Sequence, residues 1–138
     1  MALPDHTSKL VEHRLEEYLK APFDDMQEAA RTHRALPVYA DVGGVLFLKT
    51  DGDVLFRDSS KMEAGLNPEK SLQWQTIARL AAAERFPELK ELVPTRPPST
   101  PDCPDCGGRG RVLNDALRCD ECFGLGWVLH RANKAEAG

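Results

Sequence analysis

The feature that most constrains this chain is a repeat holding all four of its cysteines. The twelve residues CPDCGGRGRVLN, from Cys103 to Asn114, align without gaps on CDECFGLGWVLH, from Cys119 to His130. Six of the twelve positions are identical, namely both Cys, both Gly of a Gly-x-Gly and a Val-Leu pair, and the period is 16 residues. Each copy reads as a Cys-x-x-Cys turn, a Gly-rich bend and a short apolar strand. Two such knuckles face to face bring four sulfurs to the corners of a tetrahedron, the arrangement Zn²⁺ takes in structural sites. The spacing therefore predicts one structural zinc on Cys103, Cys106, Cys119 and Cys122. Iron in the same thiolate tetrahedron is the alternative that geometry leaves open.

The residues around the cysteines support this reading over its competitors. After the second Cys of a knuckle the chain must turn back so that backbone N–H groups point at sulfur, and glycine reaches the required angles cheaply. Such donors delocalise thiolate charge. A disulfide framework would spread cysteines along the chain. A thioredoxin-like dithiol sits at a helix N-terminus after a strand, not among glycines. A catalytic zinc needs an open position, and four thiolates leave none. Val112-Leu113 and Val128-Leu129 are expected to pair as strands. The copies also differ. Arg109 and Arg111 of the first stand where the second has Leu125 and Trp127, giving one basic and one apolar face. Aromatic side chains and Arg are enriched at binding hot spots. Phe123, Leu125, Trp127, Arg109 and Arg111 are thus the candidate partner-binding residues. Trp127 is expected to be only shallowly covered in so small a domain, packing on the knuckle, meeting a partner or docking on the rest of the chain.

Both repeats match Cys-x-x-Cys-x-Gly-x-Gly, and here the chain resembles the cysteine-rich zinc domain of DnaJ-type (Hsp40) co-chaperones, over about 28 residues. That family uses four copies for two zinc sites; two copies suffice for one. The resemblance implies a one-zinc finger of this type borrowed by an otherwise unrelated protein. The sequence contains no His-Pro-Asp tripeptide, the mark of the J-domain that stimulates Hsp70. A second likeness lies upstream, where Asp41-Val-Gly-Gly-Val-Leu-Phe-Leu and Asp51-Gly-Asp-Val-Leu-Phe-Arg-Asp58 resemble the central hairpin of the Smi1/Knr4 (SUKH) superfamily. Many of its members are immunity proteins that neutralise toxins.

Ahead of the cysteines the periodicity predicts an α+β domain over residues 5–93: helices packed on a small antiparallel sheet. A first helix, capped by Thr7 or Ser8, runs to Lys20 with Leu10, Val11, Leu15, Tyr18 and Leu19 on one stripe, and Pro22 ends it. Asp24 and Gln27 have capping-box spacing for a second helix reaching Ala35, which Pro37 stops. Val38–Ala40 reads as a short strand. Val45–Leu48 and Val54–Phe56 flank Asp51-Gly52, which predicts a two-residue hairpin turn with Leu48 opposite Leu55 and Phe47 opposite Phe56. Asn67-Pro68 is expected to open the longest helix, with Trp74, Ile77, Ala78 and Ala81 buried and Leu80 alongside. Phe86-Pro87 interrupts it, and one further turn spans Glu88–Leu92. Pro94, Pro97, Pro98 and Pro101 make residues 94–101 a stiff, extended linker. The zinc domain then covers residues 102–131, a ribbon or knuckle, followed by a flexible tail at 132–138.

Charge and composition limit the function. Of 138 residues 29% are charged, the formal charge is −4, and the mean hydropathy is −0.44. No apolar run approaches the roughly 18 residues of a membrane span, and Met1–Leu10 lacks the apolar segment of a secretory signal. The expectation is a cytoplasmic protein. Residues 103–131 balance four Arg against four acidic side chains, and four thiolates with one Zn²⁺ would leave that segment at −2. That disfavours phosphate as the main target. No Ser-His-Asp order, phosphate loop or carboxylate pair stands out. His6, His13, His33 and His130 are scattered and read as surface residues, and Asp24-Asp25, Glu16-Glu17 and Asp51/Asp53 as caps, solvated faces and a turn. The resulting expectation is a non-enzymatic zinc-binding protein that works as a protein-protein binding or adaptor module, with toxin sequestration as a specific version. A nucleic-acid-binding accessory factor is the alternative, and a thiol oxidoreductase or chaperone-like factor the third.

Overall fold

The computed structural model describes residues 4–22, 26–41, 43–58 and 66–129. The chain divides into two compact units, Met1–Val93 and Pro94–Gly138. The first is α+β. Helix α1 (Asp5–Lys20) and helix α2 (Gln27–His33) precede strands β1 (Ala35–Asp41), β2 (Gly44–Lys49), β3 (Val54–Asp58) and β4 (Asn67–Pro68). Helix α3 (Leu72–Arg85) and a 3-10 turn (Pro87–Leu92) complete it. The four strands form an antiparallel sheet in the order β1-β2-β3-β4. On one face Phe47 and Leu55 are buried with Leu15 of α1 and Ala30 of α2. Because side chains alternate along a strand, Leu36, Leu46, Leu48 and Val54 belong to the other face, and all are buried. Helix α3 packs against β1 and β2, and its buried residues are Thr76, Ile77, Ala78, Ala81 and Ala82.

Several element boundaries differ from the sequence expectation, each for a local reason. Neither Thr7 nor Ser8 caps α1. The helix starts at Asp5 after Pro4, Thr7 is buried and donates to Glu91 (3.1 Å), and the Ser8 hydroxyl donates to the Thr50 carbonyl (2.6 Å). Asp24 and Asp25 lie outside the described residues. Gln27 opens α2, and its amide donates to the Tyr18 and Ala21 carbonyls at the end of α1 (2.9 and 3.1 Å). Helix α2 stops at His33 because Arg34 turns left-handed, with φ 51°. Pro37 stops nothing: it sits in β1, an edge strand, beside a register irregularity, the one kind of sheet position where a missing N–H is tolerated.

The hairpin slips by one residue. Leu48 pairs with Val54 and Phe47 with Leu55, so the loop is three residues long, not two. The Asp51 carboxylate accepts the Asp53 N–H (3.0 Å), and of the two expected left-handed residues only Gly52 has positive φ. That is a three-residue loop ending in a left-handed glycine. Nor do Asn67 and Pro68 open α3. They form β4, and Ser71 is the cap, its hydroxyl accepting the Trp74 N–H (3.4 Å). Trp74 is only half-buried.

Candidate metal centre

In the second unit the repeat folds as two equivalent knuckles. In each, the chain passes the second Cys and bends back through left-handed residues: Gly107, Gly108 and Gly110 in the first, Phe123, Gly124 and Gly126 in the second. The bend aims the amide of the last glycine at the last sulfur. Gly110 N–H donates to Cys106 Sγ (3.2 Å), and Gly126 N–H to Cys122 Sγ (3.3 Å). The halves are then tied by reciprocal bonds. Cys103 N–H donates to the Gly126 carbonyl (2.8 Å), and Cys119 N–H to the Gly110 carbonyl (2.9 Å). Residues 16 apart exchange places in each relation, as an approximate two-fold axis requires.

The axis brings all four sulfurs together. Their Sγ atoms lie within 4.8 Å of one another, and all four residues are buried. Cys103 and Cys119 are 3.9 Å apart, Cys106 and Cys122 3.7 Å. Disulfide sulfurs would be about 2.05 Å apart, so these are free thiols. A tetrahedral ion with metal–sulfur bonds of about 2.3 Å has sulfur–sulfur edges of about 3.8 Å. The donor set therefore fits a tetrahedral thiolate metal: the two shortest contacts already match that edge, and no sulfur pair exceeds it by more than about 1 Å.

The sulfurs are not equivalent electrostatically. Burial pushes the Cys122 thiol up to about 12, against the N–H groups of Gly126 and Gly124. Burial also raises Cys103. At Cys106 burial acts the same way, but the amides of Gly110 and Gly108 and the neighbouring thiol of Cys122 outweigh it and bring the group down to about 7. Without metal, Cys106 is nearer to ionisation at neutral pH than Cys103 or Cys122.

The strands of this unit are not the expected ones. β5 (Arg111–Val112) pairs with β6 (Leu117–Arg118), and Val128 instead packs on the cysteine cluster. Leu113, Asn114 and Asp115 take consecutive positive φ values of 53°, 56° and 67°, closing a hairpin between the knuckles. That turn forecloses a Val112-Leu113 strand and leaves Leu113 70% and Leu117 54% exposed. Residues 94–101 are not simply extended either, since Thr100 N–H donates to the Pro97 carbonyl and Arg96 donates to Thr100 and Asp102.

Of the candidate partner-binding residues, Phe123 and Leu125 are half-buried. Trp127, expected to be shallowly covered, is 4% exposed. Arg109 is exposed but paired with Asp115 (2.7 Å), and Arg111 is half-buried, directly opposite Arg118. Sequence reasoning missed the hairpin tip; its signal was the Asn114-Asp115 pair, whose residue types tolerate the left-handed region. His6, His13 and His33 are exposed, and His130 lies outside the described residues. Among the described residues, no helix is long and apolar enough to cross a membrane. Comparison with family models, with curated proteins and with solved structures finds no match to this chain.

Proposed function

We propose that the second unit is a ribbon-like domain built on one structural Zn²⁺, and that the chain is a non-enzymatic protein-binding or adaptor module. The observation that carries the metal reading is the buried cluster of four sulfurs, all within 4.8 Å of one another and two pairs at 3.7 and 3.9 Å. Four protein ligands close the coordination shell, which is the mark of a structural zinc. The resemblance of both repeats to the DnaJ-type zinc domain points the same way. A protein partner is favoured over phosphate because the unit exposes Leu113 and Leu117 at its hairpin tip while Arg109 is engaged by Asp115. Toxin sequestration is the specific version that the SUKH-like hairpin supports. Isolating the native chain with its bound protein tests the reading. A Leu113→Asp, Leu117→Asp variant should keep its metal and lose that protein. Retention of the protein by the variant overturns the assignment.

The alternative is a nucleic-acid accessory factor, for which Arg111 and Arg118, direct cross-strand partners, would supply the cationic groups. Salt separates the readings, because phosphate-driven binding weakens steeply between 50 and 200 mM salt, roughly 10³-fold or more for a surface with six contacts.

A further inference from the structure

The sheet of the first unit carries a slot of its own. Tyr39 of β1 stands opposite Leu46 of β2, and Leu46 opposite Phe56 of β3. Cross-strand partners share a face, so the two rings flank Leu46. With strands roughly 4.8 Å apart, the backbones that carry the rings are about 10 Å apart. Leu46 is 2% exposed and makes the floor. Trp74, in the first turn of α3, supplies a third ring, and Glu69, just ahead of that helix, a carboxylate. Together with Gly43 and Gly44 these residues line a cavity of about 330 Å³, within the size range of small-ligand sites. Gly44 has a definite part in its shape. A Cβ there would lie 2.8 Å from Cε1 and Cζ of Phe56, so the missing side chain is what lets that ring lie against the β2 backbone.

The lining selects the ligand chemistry. Aromatic faces carry negative potential and attract cations, most strongly Trp. A bare ammonium is strongly hydrated and would lose its water hydrogen bonds among these rings. An alkylated ammonium has few such bonds to lose, and its methyl groups pack against the rings and Leu46. Glu69 supplies the counter-charge. Its Oε1 accepts the Ser71 N–H (3.0 Å), which anchors the carboxylate at the capping turn of α3. A neutral apolar ligand would gain nothing from that carboxylate and would partly desolvate it. We propose that this slot binds an alkylated ammonium group, with Tyr39, Phe56 and Trp74 as walls, Leu46 as floor and Glu69 as counter-charge. None of these residues belongs to the second unit.

Choline, Nε-trimethyl-lysine and 3,3-dimethylbutan-1-ol, titrated separately into the full metal-loaded chain, test it. The alcohol has the shape of choline with carbon in place of nitrogen and carries no charge. Binding is followed by NMR at the indole N–H of Trp74, with Trp127 as internal reference. At least one cation should bind about tenfold or more tightly than the alcohol, the scale of desolvated cation–π contacts, and should shift Trp74 and not Trp127. Glu69→Gln should weaken the cation severalfold and leave the alcohol unchanged. Tryptophan fluorinated on the ring, which keeps size but weakens the quadrupole, should lower cation affinity even if Trp74→Leu fails to fold. Preference for choline places the group on a small molecule, and preference for trimethyl-lysine places it on a protein side chain. Equal or tighter binding of the alcohol, or no shift of Trp74 with either cation, overturns the proposal.

Discussion

Alanine at position 110 tests how the two knuckles meet. Gly110 has φ +77°, and a Cβ there would lie 2.5 Å from the Gly124 carbonyl oxygen of the opposite knuckle. Gly126 is its counterpart, with φ +90° and the Gly108 oxygen 2.6 Å from its virtual Cβ. Gly107 is the control: φ is +65°, nothing lies within 4 Å of the added atom, and the second repeat carries Phe123 at φ 61° in the equivalent place. Any left-handed L-residue costs about 1–2 kcal/mol. At 107 that is the whole effect. At 110 the methyl must also push back a peptide of the other knuckle, an overpacking cost of about 1–3 kcal/mol. The same retreat stretches the bonds between the knuckles, from Cys119 N–H to the Gly110 carbonyl and from Cys103 N–H to the Gly126 carbonyl. Because metal binding and folding of such a domain are one equilibrium, the extra cost appears as metal affinity. Gly110→Ala should bind zinc roughly fivefold to a hundredfold more weakly than Gly107→Ala. Competition with a chromophoric chelator at fixed pH measures the ratio. Equal losses at the two positions would refute the idea that contact between the knuckles, not backbone strain, dictates the glycines.

Three further outcomes follow from the same geometry. Elemental analysis of the reduced chain should give one zinc per molecule, because the four sulfurs make a single cluster; two metals, or none, would contradict it. Cys106→Ser should unfold residues 102–129 and leave residues 5–93 folded, since structural zinc supplies on the order of 10–16 kcal/mol of apparent folding free energy in small domains; loss of the α1–α3 NMR signals in that variant would show that the units share stability. Metal affinity should fall on acidification, because protons compete for thiolates. Four thiols become thiolates, so up to four protons leave: the raised Cys103 and Cys122 each release one across this range, and Cys106, at about 7, adds one below that pH. Chelator competition from pH 5 to 8 should therefore show at least about a hundredfold change per pH unit near 8, and at least about a thousandfold well below 7. A flat profile would exclude thiolate ligation.

What was legible in the sequence was whatever a short window could settle. The Cys-x-x-Cys-x-Gly-x-Gly spacing determines a knuckle within eight residues, so the clustering of the four cysteines and the glycine bends beside them could be read in advance. The apolar stripe of α1 was equally readable, with Val11 and Leu15 fully buried. Readings failed where a side chain found a distant or unexpected partner. Ser8 looked like a cap but bonds Thr50, and Gln27 looked like half a capping box but closes α1. Asp51-Gly52 fits a two-residue turn until its carboxylate takes the Asp53 amide and the register shifts by one. Identical Val-Leu pairs in the repeats suggested identical strands. The three left-handed residues after Val112 gave the first copy a hairpin of its own instead, while Val128 of the second covers the sulfurs. The aromatic slot was illegible because Tyr39, Phe56 and Trp74 are spread over three elements, and only their register brings them to one face.

The second unit also explains why its proposed metal is better suited to holding structure than to reacting. Its buried cluster consists of the four cysteines and Val128, with Val112 packed against it, and Trp127 is the one other large side chain buried among its described residues. So little apolar surface cannot offset the conformational entropy of some thirty ordered residues, at about 1–2 kcal/mol each. The ion and its sulfurs must then make up the difference, so ligand and core are the same atoms. A substrate that displaced one thiolate would remove part of the core, expose the interlocked glycines, and separate the two knuckles whose carbonyls accept each other's cysteine amides. Ligand exchange and unfolding become one event. An open-site metal enzyme avoids this by resting its ligands on a scaffold that folds without them. Here the bonds from Cys103 to Gly126 and from Cys119 to Gly110 are the scaffold, and they close only when the sulfurs are already together.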